Sequence, residues 1–170
     1  MRSLPFAITA AGASLVAAPA LAADMTISVD IPNLRVASYH RPYVAIWIER
    51  PDQTAVQTLQ VWYQLTANRE GDGKDWLKDM RTWWRKGGRA MALPADGISG
   101  PTRAPGRQTV RIPAARLARL PAGEYNLVVE SARELGGREV VRVPFRWGAA
   151  NTARASGSTE LGAVSVAVSR

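Results

Sequence analysis

The residue types that most often carry chemistry in proteins are scarce in this chain. Of its 170 residues none is cysteine, and one, His40, is histidine. Thiolate metal sites, iron–sulfur clusters and cysteine nucleophiles are therefore excluded, and a Ser-His-Asp triad could be built only through His40. The sequence also contains no Gly-rich phosphate loop and no nucleophile elbow. It predicts a protein that is not an enzyme and has no catalytic residues.

His40 is the one residue that could contribute an imidazole ligand. It lies in the run Tyr39-His40-Arg41-Pro42-Tyr43, where a strand is predicted to begin. A single histidine can serve as an axial haem ligand or as one ligand of a metal ion. Without cysteine or a second histidine it is a weak candidate, and the sequence predicts no metal site.

A short run of small and polar residues, Asp96-Gly97-Ile98-Ser99-Gly100-Pro101-Thr102, has the spacing of a modification site. It resembles the flavinylation motif D-x-x-[S/T]-G-A-T, in which a periplasmic FAD-dependent flavin transferase links FMN through a phosphoester to the final threonine. Four positions match the motif: Asp96, Ser99, Gly100 and Thr102. Pro101 stands where the motif has alanine, and proline restricts both its own φ and the residue before it. The resemblance implies covalent FMN on Thr102, whereas as plain structure the same run is an ordinary turn.

Positive charge is concentrated around this motif. The chain carries 22 Lys+Arg and 14 Asp+Glu, and nine of the basic residues lie between Arg81 and Arg119, where Asp96 is the single acid. Such a segment attracts phosphate, carboxylate or an acidic protein surface, although it could equally be a solvated surface without a ligand. The predicted docking residues are Arg81, Arg85, Lys86, Arg89, Arg103 and Arg107. Nucleic acid is not expected as a partner, because aromatic residues placed for base stacking do not alternate with these cations.

A helix is predicted just before this basic segment. Trp76, Met80, Trp83 and Trp84 recur at helical spacing and indicate one short helix at about 75–86, which ends before Gly87-Gly88. Trp83 and Trp84 could shield a flavin ring. A tryptophan stripe that faces a sheet is also a common form of core.

The rest of the chain alternates with the period of β-strands. Strands are predicted at Met25–Ile31 and Gln108–Ile112, a hairpin at 43–63 with a central first strand, and a half-exposed hairpin at 125–147. A polar linker at 148–158 precedes a last strand that contains Val164, Val166 and Val168. The predicted fold is mostly β: an antiparallel immunoglobulin-like β-sandwich with one short α-helix.

The first residues have the organisation of a secretory signal peptide. Arg2 is followed by an apolar stretch to Val16 and by Ala20-Leu21-Ala22, a small-x-small cleavage signal. We therefore predict a signal peptide at 1–22, a single domain at 23–170, and a periplasmic location. No later stretch reaches the roughly 18 apolar residues that would span a bilayer, so an integral membrane protein is not expected.

Six runs of sequence together resemble one protein family. They are R-P-Y-V-A-I-W-I-E (41–49), W-L-K-D-M-R-T-W-W (76–84), D-G-I-S-G-P-T-R (96–103), P-A-G-E-Y-N-L-V-V-E-S-A-R-E-x-G-G-R (121–138), P-F-R-W (144–147) and E-L-G-A-V (160–164). These runs are similar to the predicted periplasmic proteins of domain-of-unknown-function family 2271. The resemblance implies a setting beside PepSY-type membrane proteins and periplasmic flavin transferases, where flavin-based electron transfer and iron reduction take place.

Two functions are therefore expected from the sequence. The first is a periplasmic accessory protein of a membrane redox or iron-handling system that carries FMN on Thr102 as a non-catalytic electron carrier. The second is a cofactor-free β-sandwich that binds an anionic ligand, a metal chelate or an acidic protein partner.

Overall fold

The computed structural model describes residues 24–69 and 71–169, which form two β-sheets and a set of short helices. The predicted signal peptide at 1–22 lies outside these residues. The strands are β1 (Met25–Ile31), β2 (Tyr43–Glu49), β3 (Ala55–Trp62), β4 (Ser99–Gly100), β5 (Gly106–Ile112), β6 (Gly123–Ala132), β7 (Arg138–Trp147), β8 (Asn151–Ser156) and β9 (Ala163–Val168). The helices are the α-helix α1 (Arg81–Arg85) and 3₁₀ helices at Gly73–Asp79, Gly88–Ala90 and Ala114–Leu117.

The two sheets pack face to face. One has the strand order β5-β1-β9-β8 and the other the order β4-β3-β2-β6-β7. Neighbouring strands are antiparallel, except that β4 runs parallel to β3. The apolar side chains of both inner faces form the main core. The predicted mostly-β sandwich is confirmed, and its immunoglobulin-like connectivity stays a prediction.

Strand β2 is central, as its two apolar faces predict. It lies between β3 and β6, with Val44, Ile46 and Ile48 in the main core. Ala45 and Trp47 point to the opposite face of the sheet and are 0% and 1% exposed. That face must therefore be covered by another part of the chain.

The cover is a helical layer, Gly73–Ala90, which packs on the outer face of the five-stranded sheet. The prediction of one continuous helix at about 75–86 is wrong in detail, because the 3₁₀ helix ends at Asp79 and α1 begins at Arg81. Met80 separates them with φ −77° and ψ 68°, which is not helical. Because of this break, each helix has its own hydrogen-bond acceptor at its first residues. The Asp72 side chain caps the 3₁₀ helix, and the Glu130 carboxylate of the sheet accepts hydrogen bonds from the first amides of α1.

Two further predictions need correction. The β6–β7 hairpin is not half exposed along β6: the helical layer covers its outer face, and Glu130 is 0% exposed. The predicted linker at 148–158 contains strand β8, which pairs with β9 along its whole length. Its alternate residues Ala153 and Ala155 pack against the main core, and alanine signals a strand only weakly in sequence.

Candidate functional site

A cavity of about 460 Å³ opens where the helical layer, the beginning of β2 and the segment after β4 meet. We call it the Thr102 cavity. Its walls are formed by His40, Arg41, Tyr43, Tyr63, Gln64, Leu65, Thr66, Trp76, Asp79, Pro101, Thr102, Ala132, Arg133 and Glu134. Its size lies within the usual range of small-molecule pockets, about 300–1,000 Å³. Five separate segments of the chain contribute to it, so no local pattern in the sequence marks it.

Aromatic rings form much of the cavity wall. Tyr43 begins β2 and Tyr63 follows β3, and their ring centroids are 6.4 Å apart in an edge-to-face arrangement. Trp76 projects from the 3₁₀ helix of the helical layer and is 46% exposed. This indole is thus available to a ligand, whereas Tyr63 is only 1% exposed and gives the wall its rigidity.

The motif residues up to Gly100 are hydrogen-bonded to strand β3. Thr102, two residues later, lies in the cavity wall. The amides of Val61 and Tyr63 donate to the carbonyls of Ile98 (2.8 Å) and Gly100 (3.0 Å). Gly100 is packed so closely that a Cβ there would lie 3.3 Å from the Trp62 ring. Within the described residues, the half-buried Thr102 hydroxyl makes no hydrogen bond.

The other motif residues have different positions. Ser99 Oγ accepts a hydrogen bond from the Ala95 amide at 2.9 Å and so closes the turn that holds the motif. Asp96 is exposed and is not part of the cavity wall. Of the four matching positions, the structure therefore brings only Thr102 to the cavity.

Pro101 fits the backbone that it occupies. Because the Gly100 carbonyl points to β3, the nitrogen of residue 101 points away from it, to the open edge of the sheet. A proline at an edge strand removes no ladder hydrogen bond, and the extended Gly100 has the conformation that a following proline requires. The proline therefore stiffens this segment without distorting it.

Three polar side chains of the cavity wall, Arg133, Glu134 and His40, have protein partners. Arg133 donates two hydrogen bonds to the buried Glu160, at 2.9 and 3.0 Å. His40 Nδ1 lies 3.3 Å from the Glu134 carboxylate, and its Nε2 lies 3.0 Å from Ser38 Oγ. Both ring nitrogens thus have protein partners. No group of three or more His, Cys, Asp or Glu residues that could hold a metal ion is found in residues 24–69 and 71–169.

The cavity wall carries charges of both signs. Arg41 and Arg133 stand against Asp79 and Glu134. Burial raises the pKa of Tyr43, the backbone hydrogen bond with Gln64 lowers it, and the nearby carboxylates raise it. The predicted anion docking stays a prediction.

The predicted basic docking residues do not form one surface. Lys86 Nζ lies 2.7 Å from the fully buried Glu49 carboxylate, which Arg142 and the Trp47 indole also contact. Arg103 lies over the Trp62 ring at 5.4 Å, on the side opposite to the cavity. The remaining four are exposed: Arg81, Arg85, Arg89 and Arg107.

Trp83 and Trp84 lie outside the cavity wall. Trp83 is 2% exposed, packs on the sheet and donates from its indole to Thr58 Oγ1 at 3.1 Å. Trp84 is half-buried beside it. The tryptophan of the cavity is Trp76, and sequence analysis also missed Tyr43 and Tyr63, whose strand alternation looks like that of ordinary core residues.

The fold and the cavity define a β-sandwich protein with a ligand-sized, aromatic-walled cavity on the outer face of its larger sheet. The chain belongs to the family described as "Predicted periplasmic protein (DUF2271)", whose model matches residues 24–163. This confirms the resemblance drawn from the six sequence runs and the predicted periplasmic location. Searches of curated proteins and of solved structures found no match. Within the described residues, no helix has the length and apolar character needed to cross a membrane.

Proposed function

We propose that this periplasmic protein carries FMN covalently on Thr102 and serves as an electron carrier for a membrane redox or iron-handling system. The observation that carries the proposal is the position of Thr102. The residue that matches the modified threonine of the motif lines a cavity of about 460 Å³ with a hydroxyl that makes no hydrogen bond to the described residues. The resemblance further implies a PepSY-type membrane protein and a periplasmic flavin transferase as partners.

The aromatic side chains of the cavity wall support a flat ligand such as the ring system of a flavin. Its wall combines the Trp76 indole and two tyrosine rings with backbone and side-chain amides at Gln64. Flat aromatic ligands gain both burial and ring stacking from such walls. When bound, FMN supplies the electron-transfer chemistry, and the chain's residues bind, orient and shield it.

Each residue has a definite part in this proposal. Thr102 would supply the oxygen of the phosphoester: its hydroxyl would lose a proton and attack the FMN phosphorus of FAD held by the transferase, and AMP would leave. Trp76 replaces Trp83 and Trp84 as the side chain that covers the ring. Ser99 holds the motif turn, and the exposed Asp96 would be available to a transferase there.

The test is the intact mass and visible spectrum of the protein after co-expression with a periplasmic flavin transferase. We expect a mass gain of one FMN, flavin absorbance, and loss of both in Thr102→Ala. Thr66→Ala is the matched control, because Thr66 lines the same cavity but lies outside the motif. Modification should persist in this control.

Pro101→Ala separates the effect of the proline from that of the site. If the wild-type chain stays unmodified while Pro101→Ala is modified, the motif is functional but this chain is not a flavin carrier. If neither protein is modified, the flavin role is refuted for this fold.

The second candidate function is a cofactor-free binding module that uses the same cavity. The observation in its favour is the attachment of residues 98–100 to β3, which limits how far Thr102 can extend into another enzyme. A planar ligand bound without a covalent bond would quench the Trp76 fluorescence. That quenching would persist in Thr102→Ala and disappear in Trp76→Leu.

A further inference from the structure

The helical layer presents a row of cations that the described structure does not use. Arg81 and Arg85 lie one turn apart in α1, Arg89 lies in the 3₁₀ helix Gly88–Ala90 that follows, and all three are exposed. Their side chains make no hydrogen bond or ion pair within residues 24–69 and 71–169. Lys86, in the same segment, is instead drawn into the buried ion pair with Glu49. The three arginines are therefore charges that contribute nothing to the packing of the layer.

The charge of this arginine row is not neutralised locally. No acidic residue occurs in the sequence between Asp79 and Asp96. At the other end of the layer, Trp76 is 46% exposed, and the Lys78 ammonium lies 5.8 Å from the centre of its ring. The layer thus combines exposed cations and an exposed indole on its outer side, while Leu77, Met80 and Trp83 fix its inner side to the sheet.

We propose that the arginine row and Trp76 form a docking surface for the anionic headgroups of a bilayer. Tryptophan is favoured at the boundary between headgroups and acyl chains, and arginine and lysine bind anionic lipid from the same depth. A bilayer can accommodate the cations and the indole on one continuous surface, and an acidic protein partner is an outcome that the test below distinguishes. A periplasmic chain also has a membrane surface within reach.

This docking would place the Thr102 cavity next to the bilayer. Trp76 and Asp79 belong to both the helical layer and the cavity wall. A layer that lies on the membrane therefore holds this wall of the cavity close to the bilayer surface. The inference does not depend on FMN, because none of the three arginines lines the cavity.

Vesicle sedimentation tests the proposal directly. The probes are vesicles of phosphatidylcholine alone and of equal parts phosphatidylcholine and phosphatidylglycerol. We expect binding to the anionic vesicles that weakens as salt is raised, since salt screens exposed charges. A basic residue near an anionic surface contributes roughly fivefold, so the triple variant Arg81→Gln/Arg85→Gln/Arg89→Gln should lose on the order of a hundredfold in partitioning.

A charge-matched control distinguishes a defined surface from net positive charge. Arg107, Arg119 and Arg154 are also exposed and without ion pairs in the described residues, and they lie away from the helical layer. Their triple glutamine variant removes the same charge and should keep binding within about threefold of wild type. Trp76→Ala should weaken binding without changing its salt dependence.

Three results would overturn the proposal. These are equal losses in the two triple variants, equal binding to neutral and anionic vesicles, and no vesicle binding at all. In the last case, retention of the wild-type protein by an acidic protein would assign the arginine row to a protein partner. Circular dichroism of each variant checks that the fold is kept.

Discussion

Glu130 provides the sharpest test of how the sheet positions the helical layer. This carboxylate is 0% exposed and lies on β6. It accepts hydrogen bonds from the amides of Thr82 (3.0 Å) and Trp83 (2.7 Å) and from Arg138 Nε (2.6 Å). All three neighbours are donors, so the site is built for an acceptor with two oxygens and a negative charge.

The variant Glu130→Gln keeps the shape of the side chain but puts an NH₂ group where a donor already points. At least one buried amide or the guanidinium then loses its acceptor. An unsatisfied buried donor costs about 1–3 kcal/mol, and breaking a buried ion pair costs about 3–5 kcal/mol. Because Arg138 is partly exposed and can turn to water, we expect a loss of about 2–4 kcal/mol in the free energy of unfolding.

Urea denaturation measures this loss, and hydrogen exchange at Thr82 and Trp83 locates it. Glu124→Gln is the matched control, since Glu124 is on the same strand, is 64% exposed and lies 3.6 Å from Arg146. Surface pairs of this kind contribute less than about 1 kcal/mol. If Glu130→Gln costs no more than Glu124→Gln, or if the amides of α1 stay protected, the carboxylate does not hold the layer and the argument is wrong.

Two further predictions concern other parts of the fold. Burial raises the pKa of Glu139, but four hydrogen bonds from the amides of residues 158–161 outweigh it and lower this pKa from the ordinary 4.5 to about 2. The ionised Glu139 therefore stabilises the fold above about pH 4.5, and this stabilisation is lost as the pH falls toward 2. We expect Glu139→Gln to lower the free energy of unfolding by about 1–2 kcal/mol at pH 7 and by much less near pH 2, measured by urea denaturation at both pH values. A Cβ at Gly73 would lie 2.0 Å from the backbone oxygen of Gln64, so Gly73→Ala should displace the helical layer and lower the melting temperature. In Gly123→Ala, where the new Cβ would make an ordinary 3.7 Å contact, the melting temperature should change little.

The position of the Thr102 cavity links these structural predictions to the proposed function. Trp76 is held at the cavity by the layer that Glu130 fixes from below and Asp72 caps at its start. A variant that loosens the layer should therefore weaken any ligand contact through Trp76. Flavin fluorescence or ligand quenching in Glu130→Gln would report this coupling.

Local patterns predicted much of the sandwich. Strand alternation is a property of neighbouring residues, and it located β1, the central β2 and the last strand correctly. The spacing of four motif residues and the sequence runs were enough to indicate the family, which the match over residues 24–163 confirms. The alanine-rich β8 was missed because its side chains carry little strand preference.

The sequence by itself determined most of the strands, the charge and the position of the motif threonine along the chain, because each of these depends on residues that are close together in the sequence. Only the tertiary structure decided which residues meet. It assembled the cavity from five separate segments, placed Trp76 rather than Trp83 in the same cavity wall as Thr102, and broke the helix at Met80 over a carboxylate 50 residues away in the chain. It also paired Lys86 with the buried Glu49 and left the arginine row without ion pairs in the described residues. The physical reason is that burial and pairing depend on distances in space, which the periodicity of a sequence does not contain.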